Sequence, residues 1–387
     1  MTADTVGGVW TYALELARAL APHGVRVALA TMGAPLSASQ REEAAGVPSV
    51  TVHSSRYKLE WMDQPWEDVA RAGDWLLDLE RRVRPDVVHL NGYAHGALPW
   101  RAPVVLVGHS CVLSWWRAVK GGDAPADWDH YRQEVTAGLR AADLILAPTR
   151  AMRDALDDHY GPLPPSRVVP NGRTPSLFPP HAKEPFVLSA GRLWDEAKNV
   201  GALAWAAGSL PWPVCVAGDA RGPEGGMAQF ANVELLGVLP PHTLAGWLGR
   251  AAIYALPARY EPFGLSVLEA GLAGCALVLG DIPSLREVWG DAAVFVPPDD
   301  VEALRGALHG LISDEERRRA MAGRARERAL TYTPERMAAG YLAAYQTVMR
   351  AAPSPGVKTP TPGNELPGYS PAKESPFGTE EGMACGS

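Results

Sequence analysis

Residues 253–270 read IYALPARYEPFGLSVLEA, and they contain the pattern that indicates the fold most clearly. The run Ile253–Leu256 is short and aliphatic, as expected for a strand that is buried on both faces of a parallel sheet. Turn residues follow the run, and the segment from Gly264 onward opens a helix. A strand, a glycine-containing loop and a helix in this order form the unit of open α/β sheets.

The same unit recurs along the chain. In the first half the predicted strands are Val25–Thr31, Val50–His53, Asp86–Leu90, Val104–Val107, Leu144–Ala147 and Val168–Val169. In the second half they are Phe186–Ala190, Val214–Ala217, Val233–Leu236, Ile253–Leu256, Ala276–Gly280 and Ala293–Val296. Helical patterns between them include Val9–Leu20, Trp66–Val83, Asp127–Ala142, Val200–Ser209 and Val301–Ile312. Two such sets predict an α/β protein of two Rossmann-like domains, with parallel sheets flanked by helices.

Turn residues and composition set the domain limits. The cluster Pro170-Asn171-Gly172 predicts a boundary between a first domain, residues 1–172, and a second domain, residues 173–333. A last helix is predicted at 334–350, with Pro334 at its first position. Residues 351–387 are rich in Pro, Gly and Ser, which predicts a disordered tail. At the other end, the turn Gly7-Gly8 comes so early that the first strand of the sheet is expected to be missing.

Bulk composition excludes several classes of protein. The 387 residues include 47% hydrophobic residues and carry a net charge of -7, which argues against broad nucleic-acid binding. No window approaches the roughly 18 unbroken apolar residues of a membrane span, and because no charged flank precedes an apolar core near Met1, we expect no signal peptide. The four cysteines form no CxxC pair. We expect a reduced, cytoplasmic protein without an integral membrane segment.

The segment that follows Ile253–Leu256 carries the strongest candidate site. Gly264 allows a ligand to approach the backbone closely, and the free N–H groups of Gly264, Leu265 and Ser266 could hold an anion at the helix start. Glu261 and Glu269 could both face the crevice at the carboxyl end of the sheet. Their carboxylates are good acceptors for paired sugar hydroxyls.

A second candidate site follows the strand Phe186–Ala190. Gly191-Arg192 and then Lys198 would bring two cations to the same edge of the sheet, where a diphosphate carries the charge that they would neutralise. Two further features belong to the first domain. Gly7-Gly8 could admit a phosphate or a sugar against the backbone, and His109, directly after the strand Val104–Val107, could hydrogen-bond a sugar hydroxyl.

Each candidate also has a plainer interpretation. Glu261 could cap the helix while Glu269 is solvated, and Arg192 and Lys198 could be ordinary surface cations. His109 could be a satisfied core histidine. The chain has no P-loop, no HExxH, no GxSxG, and no Asp-X-Asp beside a strand where a metal-bound nucleotide would lie. A metal site is therefore not predicted.

In combination, these residues resemble glycosyltransferase family 4, whose members are retaining enzymes with two facing Rossmann-like domains, the GT-B architecture. The resemblance runs from Gly7-Gly8 to about Met349. It is carried by Glu261–Glu269 with its Pro-Phe-Gly-Leu, Gly191-Arg192 with Lys198, His109, Pro170-Asn171-Gly172, Gly218-Asp219 and residues 280–288. The resemblance also implies that the last helix crosses back onto the first domain.

The resemblance implies roles for the phosphate-binding residues. Arg192 and Lys198 would hold the diphosphate of a nucleotide-sugar donor, and the backbone around Phe263–Ser266 would complete the phosphate site. A divalent metal would not be essential, and no other cofactor would be required. Growing charge on the leaving diphosphate would be stabilised by these cations and by the helix start.

For the sugar and the nucleoside, the resemblance implies that Glu261 binds donor-sugar hydroxyls near the reacting carbon and that Glu269 binds the ribose. His109 would contact the donor sugar or help to align the acceptor. UDP-glucose and GDP-mannose are the leading donors, and the acceptor could be a sugar, a lipid-linked molecule or a small molecule. The alternatives are a nucleotide-sugar epimerase and a non-catalytic sugar-nucleotide-binding protein of the same architecture.

Overall fold

The computed structural model of the chain describes residues 1–222 and 225–351. Apart from Ala351, which ends the last helix, the predicted disordered tail lies outside the described residues. The described strands are β1 (Thr2–Asp4), β2 (Val27–Met32), β3 (Val50–Ser54), β4 (Val88–Leu90), β5 (Val104–Val107), β6 (Leu144–Ala147), β7 (Ser166–Val168), β8 (Glu184–Ala190), β9 (Val214–Ala217), β10 (Glu234–Gly237), β11 (Ala251–Leu256), β12 (Ala276–Gly280) and β13 (Val294–Val296).

Helices lie between most of these strands. They are α1 (Gly8–Leu20), α2 (Ala38–Ala45), α3 (Trp66–Val83), α4 (Val112–Lys120), α5 (Asp129–Ala141), α6 (Arg150–Tyr160), α7 (Val200–Ala207), α8 (Pro241–Arg250), α9 (Leu265–Leu272), α10 (Pro283–Trp289), α11 (Val301–Ser313), α12 (Glu315–Ala329) and α13 (Pro334–Ala351). Each predicted strand overlaps an observed one. The predicted helix Asp127–Ala142 begins instead with the 3-10 turn Ala126–Trp128, and α5 follows it.

All pairs of strands within the sheets are parallel. The second half forms one sheet of order β10-β9-β8-β11-β12-β13, and the first half forms the sheets β1-β2-β3 and β4-β5-β6-β7. Asn91 joins the two first-half sheets, because its backbone N–H donates to Thr2 Oγ1 at 2.8 Å and its Nδ2 donates to the carbonyl of Thr2 at 2.6 Å. The prediction of an α/β fold with parallel sheets flanked by helices is confirmed.

The first strand, which was expected to be missing, is present in a short form. Thr2–Asp4 pairs in parallel with Ala30–Met32, and Thr2 and Ala3 are buried. The sequence did not reveal this strand because three residues that include Thr and Asp lack the aliphatic run typical of a buried strand. The short strand still ends beside the Gly7-Gly8 turn and directs it toward the second half of the chain.

The last helix packs against the first half of the chain. Tyr341 of α13 is fully buried, its ring lies 5.9 Å from that of Tyr12 on α1, and it stacks on His89 at 5.4 Å. Met337 and Val348 share the same hydrophobic core with α1. This packing is the arrangement that the family resemblance implies for the last helix, while the domain boundary near residue 172 stays a prediction. No helix in the described part of the chain has the length and apolar character to cross a membrane.

Candidate active site

The start of α9 is shaped by one glycine. Gly264 has a φ of 87°, in the left-handed region where a side chain would be strained, and it caps α9 at the N-terminal end. The first intrahelical bond runs from Leu268 N–H to the carbonyl of Gly264 at 3.0 Å. The N–H groups of Leu265 and Ser266 therefore have no partner within the helix, and they give this end of α9 its capacity to bind an anion.

Lys198 and Glu261 meet at this helix start. Lys198 Nζ lies 2.7 Å from Glu261 Oε2, and each side chain is 14% exposed. The other carboxylate oxygen, Glu261 Oε1, accepts the N–H of Gly264 at 3.0 Å. The expectation that the N–H of Gly264 is free is corrected by this contact, since a carboxylate from the same loop reaches back to it. Two segments 63 residues apart are thus joined by a largely buried ion pair.

Arg192 follows the carboxyl end of β8 and faces the first half of the chain. Its guanidinium pairs with Asp195 at 2.9 Å and lies over the ring of Trp194 at 5.3 Å. Its side chain remains 39% exposed, so the guanidinium keeps hydrogen-bonding capacity for a ligand. A Cβ placed on Gly7 would be 3.5 Å from Arg192 Nη1. Gly191 lies directly before Arg192, against the aliphatic stem of Lys198.

The Gly7-Gly8 turn closes the site from the opposite side. The N–H groups of Val6 and Gly7 donate to Asp4 Oδ1 at 3.2 and 3.1 Å, which fixes the turn at the end of β1. A Cβ on Gly8 would lie 3.4 Å from Leu265 Cδ1, so the turn also approaches the start of α9. The two glycines therefore lie against the segments that carry Arg192 and the free amides. Asp4 was not predicted from the sequence, although an Asp three residues before a glycine turn is typical of such a backbone bridge.

His109 lies in a polar cluster at the end of β5. Its Nε2 is 2.8 Å from Asn91 Oδ1, and its ring meets that of Tyr12 edge-on at 4.4 Å. Asn91 uses its amide N–H to donate to Thr2, so its Oδ1 is an acceptor and His109 Nε2 carries the hydrogen. Burial lowers the pKa of His109 to about 3, which keeps the ring neutral and leaves Nδ1 as an acceptor.

Glu269 does not join the Lys198–Glu261 pair. Glu269 is buried on α9, and its Oε1 lies 2.9 Å from Arg173 Nε, which is an ion-pair distance. The Nε–H group of Arg173 nevertheless forms no hydrogen bond. Arg173 also pairs with Glu15 of α1, and Thr174 donates to the same Glu15 carboxylate. Burial raises the pKa of Glu269, and the Arg173 cation opposes this shift. Arg173 was not predicted from the sequence, because an arginine in a turn carries no sign that it will be buried between two carboxylates.

Two other candidates play structural parts through their side chains. Phe263 is buried, and its ring packs edge-on against Tyr332 at 5.7 Å, so only its backbone is available to a ligand. Ser266 Oγ accepts the hydroxyl of Tyr254 at 2.8 Å, which anchors the first turn of α9 to β11. Among the described residues, no group of three or more His, Cys, Asp or Glu side chains is arranged to hold a metal ion.

Two family models match consecutive parts of the chain. Residues 6–177 match Glycosyltransferase Family 4, and residues 178–328 match Glycosyl transferases group 1. A D-inositol 3-phosphate glycosyltransferase of Xylanimonas cellulosilytica is 27% identical over 393 residues, with 90% of this chain and 93% of the relative covered.

Solved structures share the fold. Sucrose-phosphate synthase from Thermosynechococcus elongatus superposes with a TM-score of 0.75 at 19% identity, over 91% of this chain and 99% of that one. Anabaena HepE in complex with UDP-glucose superposes with a TM-score of 0.70 at 17% identity, over 89% and 99% of the two chains. Fold, site and relatives together define an enzyme that transfers glycosyl groups. The chain belongs to glycosyltransferase family 4 and has the GT-B architecture.

The pKa of His109 predicts a pH dependence of stability. In the unfolded chain a histidine titrates near pH 6.5, so below that pH the unfolded state binds a proton that the folded state refuses until about pH 3. The contribution of His109 to the free energy of unfolding should therefore fall by about 1.4 kcal/mol per pH unit below 6.5. Between pH 7.5 and pH 5.0, the free energy of unfolding measured by urea denaturation should fall less in His109→Asn than in the wild type. An equal fall in the free energy of unfolding in the two proteins would contradict a lowered pKa of His109.

Proposed function

We propose that this glycosyltransferase moves a hexosyl group, with retention, from a nucleotide-diphosphate sugar to an acceptor hydroxyl. The observation that carries the proposal is that Arg192 and the start of α9 both approach the Gly7-Gly8 turn, while Lys198 pairs with Glu261 beside the same helix start. The two cations and the amides of Leu265 and Ser266 would then face one ligand, beside a turn of two glycines that leaves room for it. A diphosphate next to a sugar is the ligand whose charge and shape fit these groups.

The ion pair between Lys198 and Glu261 can be exchanged for donor contacts. Near a protein surface, two unit charges 4 Å apart interact by about 4 kcal/mol, and a diphosphate brings more than one negative charge to Lys198. Glu261 would then be free to accept hydrogen bonds from the donor sugar. Lys198 keeps Glu261 in place until the donor arrives, so the site needs little rearrangement when it binds.

The chemistry follows from where charge develops. As the bond between sugar C1 and the phosphate oxygen loosens, negative charge grows on the diphosphate, and Arg192, Lys198 and the amides of Leu265 and Ser266 stabilise it. The acceptor hydroxyl attacks on the face that the phosphate leaves, and the departing phosphate takes its proton. Neutral His109 acts through Nδ1 as an acceptor for a donor-sugar hydroxyl, rather than as a proton donor. Glu269 is proposed to bind the ribose.

The donor is proposed to be UDP-glucose or GDP-mannose. The structural likeness to HepE in complex with UDP-glucose supports the first of these. Because Arg192 and Lys198 supply the positive charge, we propose that no divalent metal ion is essential. An epimerase is not favoured, since the relatives named above are glycosyltransferases and synthases.

Thermal shift with both nucleotide sugars tests the proposed donor. A ligand that binds only the folded state raises the apparent melting temperature, so UDP-glucose or GDP-mannose should stabilise the chain, and the shift should survive addition of EDTA. NAD is the matched control, because it carries a diphosphate without a hexose and the chain lacks its GxGxxG fingerprint. Stabilisation by NAD alone, or by neither sugar nucleotide, would contradict the proposal. Loss of the shift in EDTA would contradict metal independence.

Removal of either cation should slow transfer. Lys198→Ala and Arg192→Ala are each expected to lower the rate on the order of 100-fold, as for other groups that stabilise transition-state charge. Arg250→Ala is the control, since Arg250 pairs with Glu184 at the amino end of β8, remote from the site, and should retain the wild-type rate. Labelled-donor transfer assays provide the measurement. Wild-type turnover in Lys198→Ala would remove Lys198 from the mechanism.

A further inference from the structure

Asp195 occupies a central position beside the two cations. It lies three residues after Arg192, in the loop between β8 and α7, and it caps the 3-10 turn Glu196–Lys198. Its side chain is only 5% exposed. A carboxylate at this depth needs hydrogen-bond donors to offset the loss of water, and the structure supplies three.

The three donors come from both halves of the chain. Asp195 Oδ2 accepts Arg192 Nη2 at 2.9 Å, and Oδ1 accepts the N–H of Ala197 at 3.0 Å. Oδ1 also accepts the indole N–H of Trp115 at 2.9 Å, and Trp115 lies on α4, which follows β5 and His109 in the first half. One buried carboxylate therefore holds the guanidinium proposed to bind the diphosphate and also bridges the two halves.

A second contact lies beside this bridge. Lys120, at the end of α4, pairs with Glu196 at 2.7 Å, and its ammonium lies 5.8 Å from the ring centre of Trp115. Burial raises the pKa of Asp195, but the Lys198 and Arg192 cations and the hydrogen bonds from Trp115 and Ala197 outweigh it, so the pKa is lowered overall. Asp195 is therefore ionised at neutral pH, and each of its contacts is a charge-assisted hydrogen bond.

We propose that Asp195 is a positioning residue for Arg192 and that Trp115 completes the arrangement only while the two halves of the enzyme are closed. This inference rests on the proposed function, because it assigns Arg192 to the leaving diphosphate. When the halves separate, Trp115 withdraws its N–H, water takes its place, and the Asp195–Arg192 pair is less constrained. Alignment of the guanidinium is thereby coupled to closure, and donor cleavage in the open enzyme is slowed.

Trp115→Phe tests the coupling, since phenylalanine keeps an aromatic ring and removes only the donor. We expect kcat for transfer to fall about tenfold, as for loss of one hydrogen bond to a charged group. The KM for donor and the Kd of the matching nucleoside diphosphate, UDP or GDP, should change less than twofold. Trp116→Phe is the matched control, because Trp116 packs against Trp115 and Trp128. It should retain the wild-type kcat.

A double-mutant cycle separates positioning from packing. In an Arg192→Lys background, Trp115→Phe should have little further effect on kcat, because the bidentate geometry that Asp195 supports is already lost. A further tenfold loss of kcat in that background would overturn the inference. It would also be overturned if Trp115→Phe lowered the melting temperature and weakened nucleotide binding as much as it lowered kcat. If the wild type is active and Trp115→Phe leaves kcat unchanged, this inference is overturned while the proposed function stands. A wild type that transfers from neither donor overturns the proposed function and this inference with it.

Discussion

The contact between Lys198 and Glu261 ties together the two loops on which the site depends. Lys198 ends the turn after β8, Glu261 precedes α9, and the carboxylate also accepts the N–H of Gly264. Adjacent parallel strands β8 and β11 bring these loops to one edge of the sheet. Because both side chains are largely withdrawn from water, neither is stable there without its partner. The pair therefore fixes the positions of a cation and of the free amides that follow it.

The first half of the chain completes the site by presenting backbone and neutral groups. Asp4 holds the Gly7-Gly8 turn, and the two glycines leave room beside Arg192 and Leu265. His109 is kept neutral by burial and is oriented by Asn91. The positive charge thus comes from the second half and the shape from the first.

Strand and helix order could be read from the sequence, because buried parallel strands are short aliphatic runs and each is followed by a turn. The grouping of Arg192, Lys198 and Glu261 was predictable for the same reason, since loops at the carboxyl ends of neighbouring strands must meet. The three-residue strand Thr2–Asp4 escaped detection because it is too short to show a pattern. The contacts of Trp115 and Arg173 escaped because they join segments from different halves, and no local spacing reports such contacts.

A crystal structure of the chain with UDP or GDP bound would show directly which groups hold the diphosphate. We expect one oxygen of the diphosphate to lie within about 3 Å of Lys198 Nζ, and other oxygens to accept hydrogen bonds from Arg192 and from the first amides of α9. Nucleotide bound with its phosphates remote from Lys198 and from α9, or directed only into solvent, would contradict the proposed phosphate site.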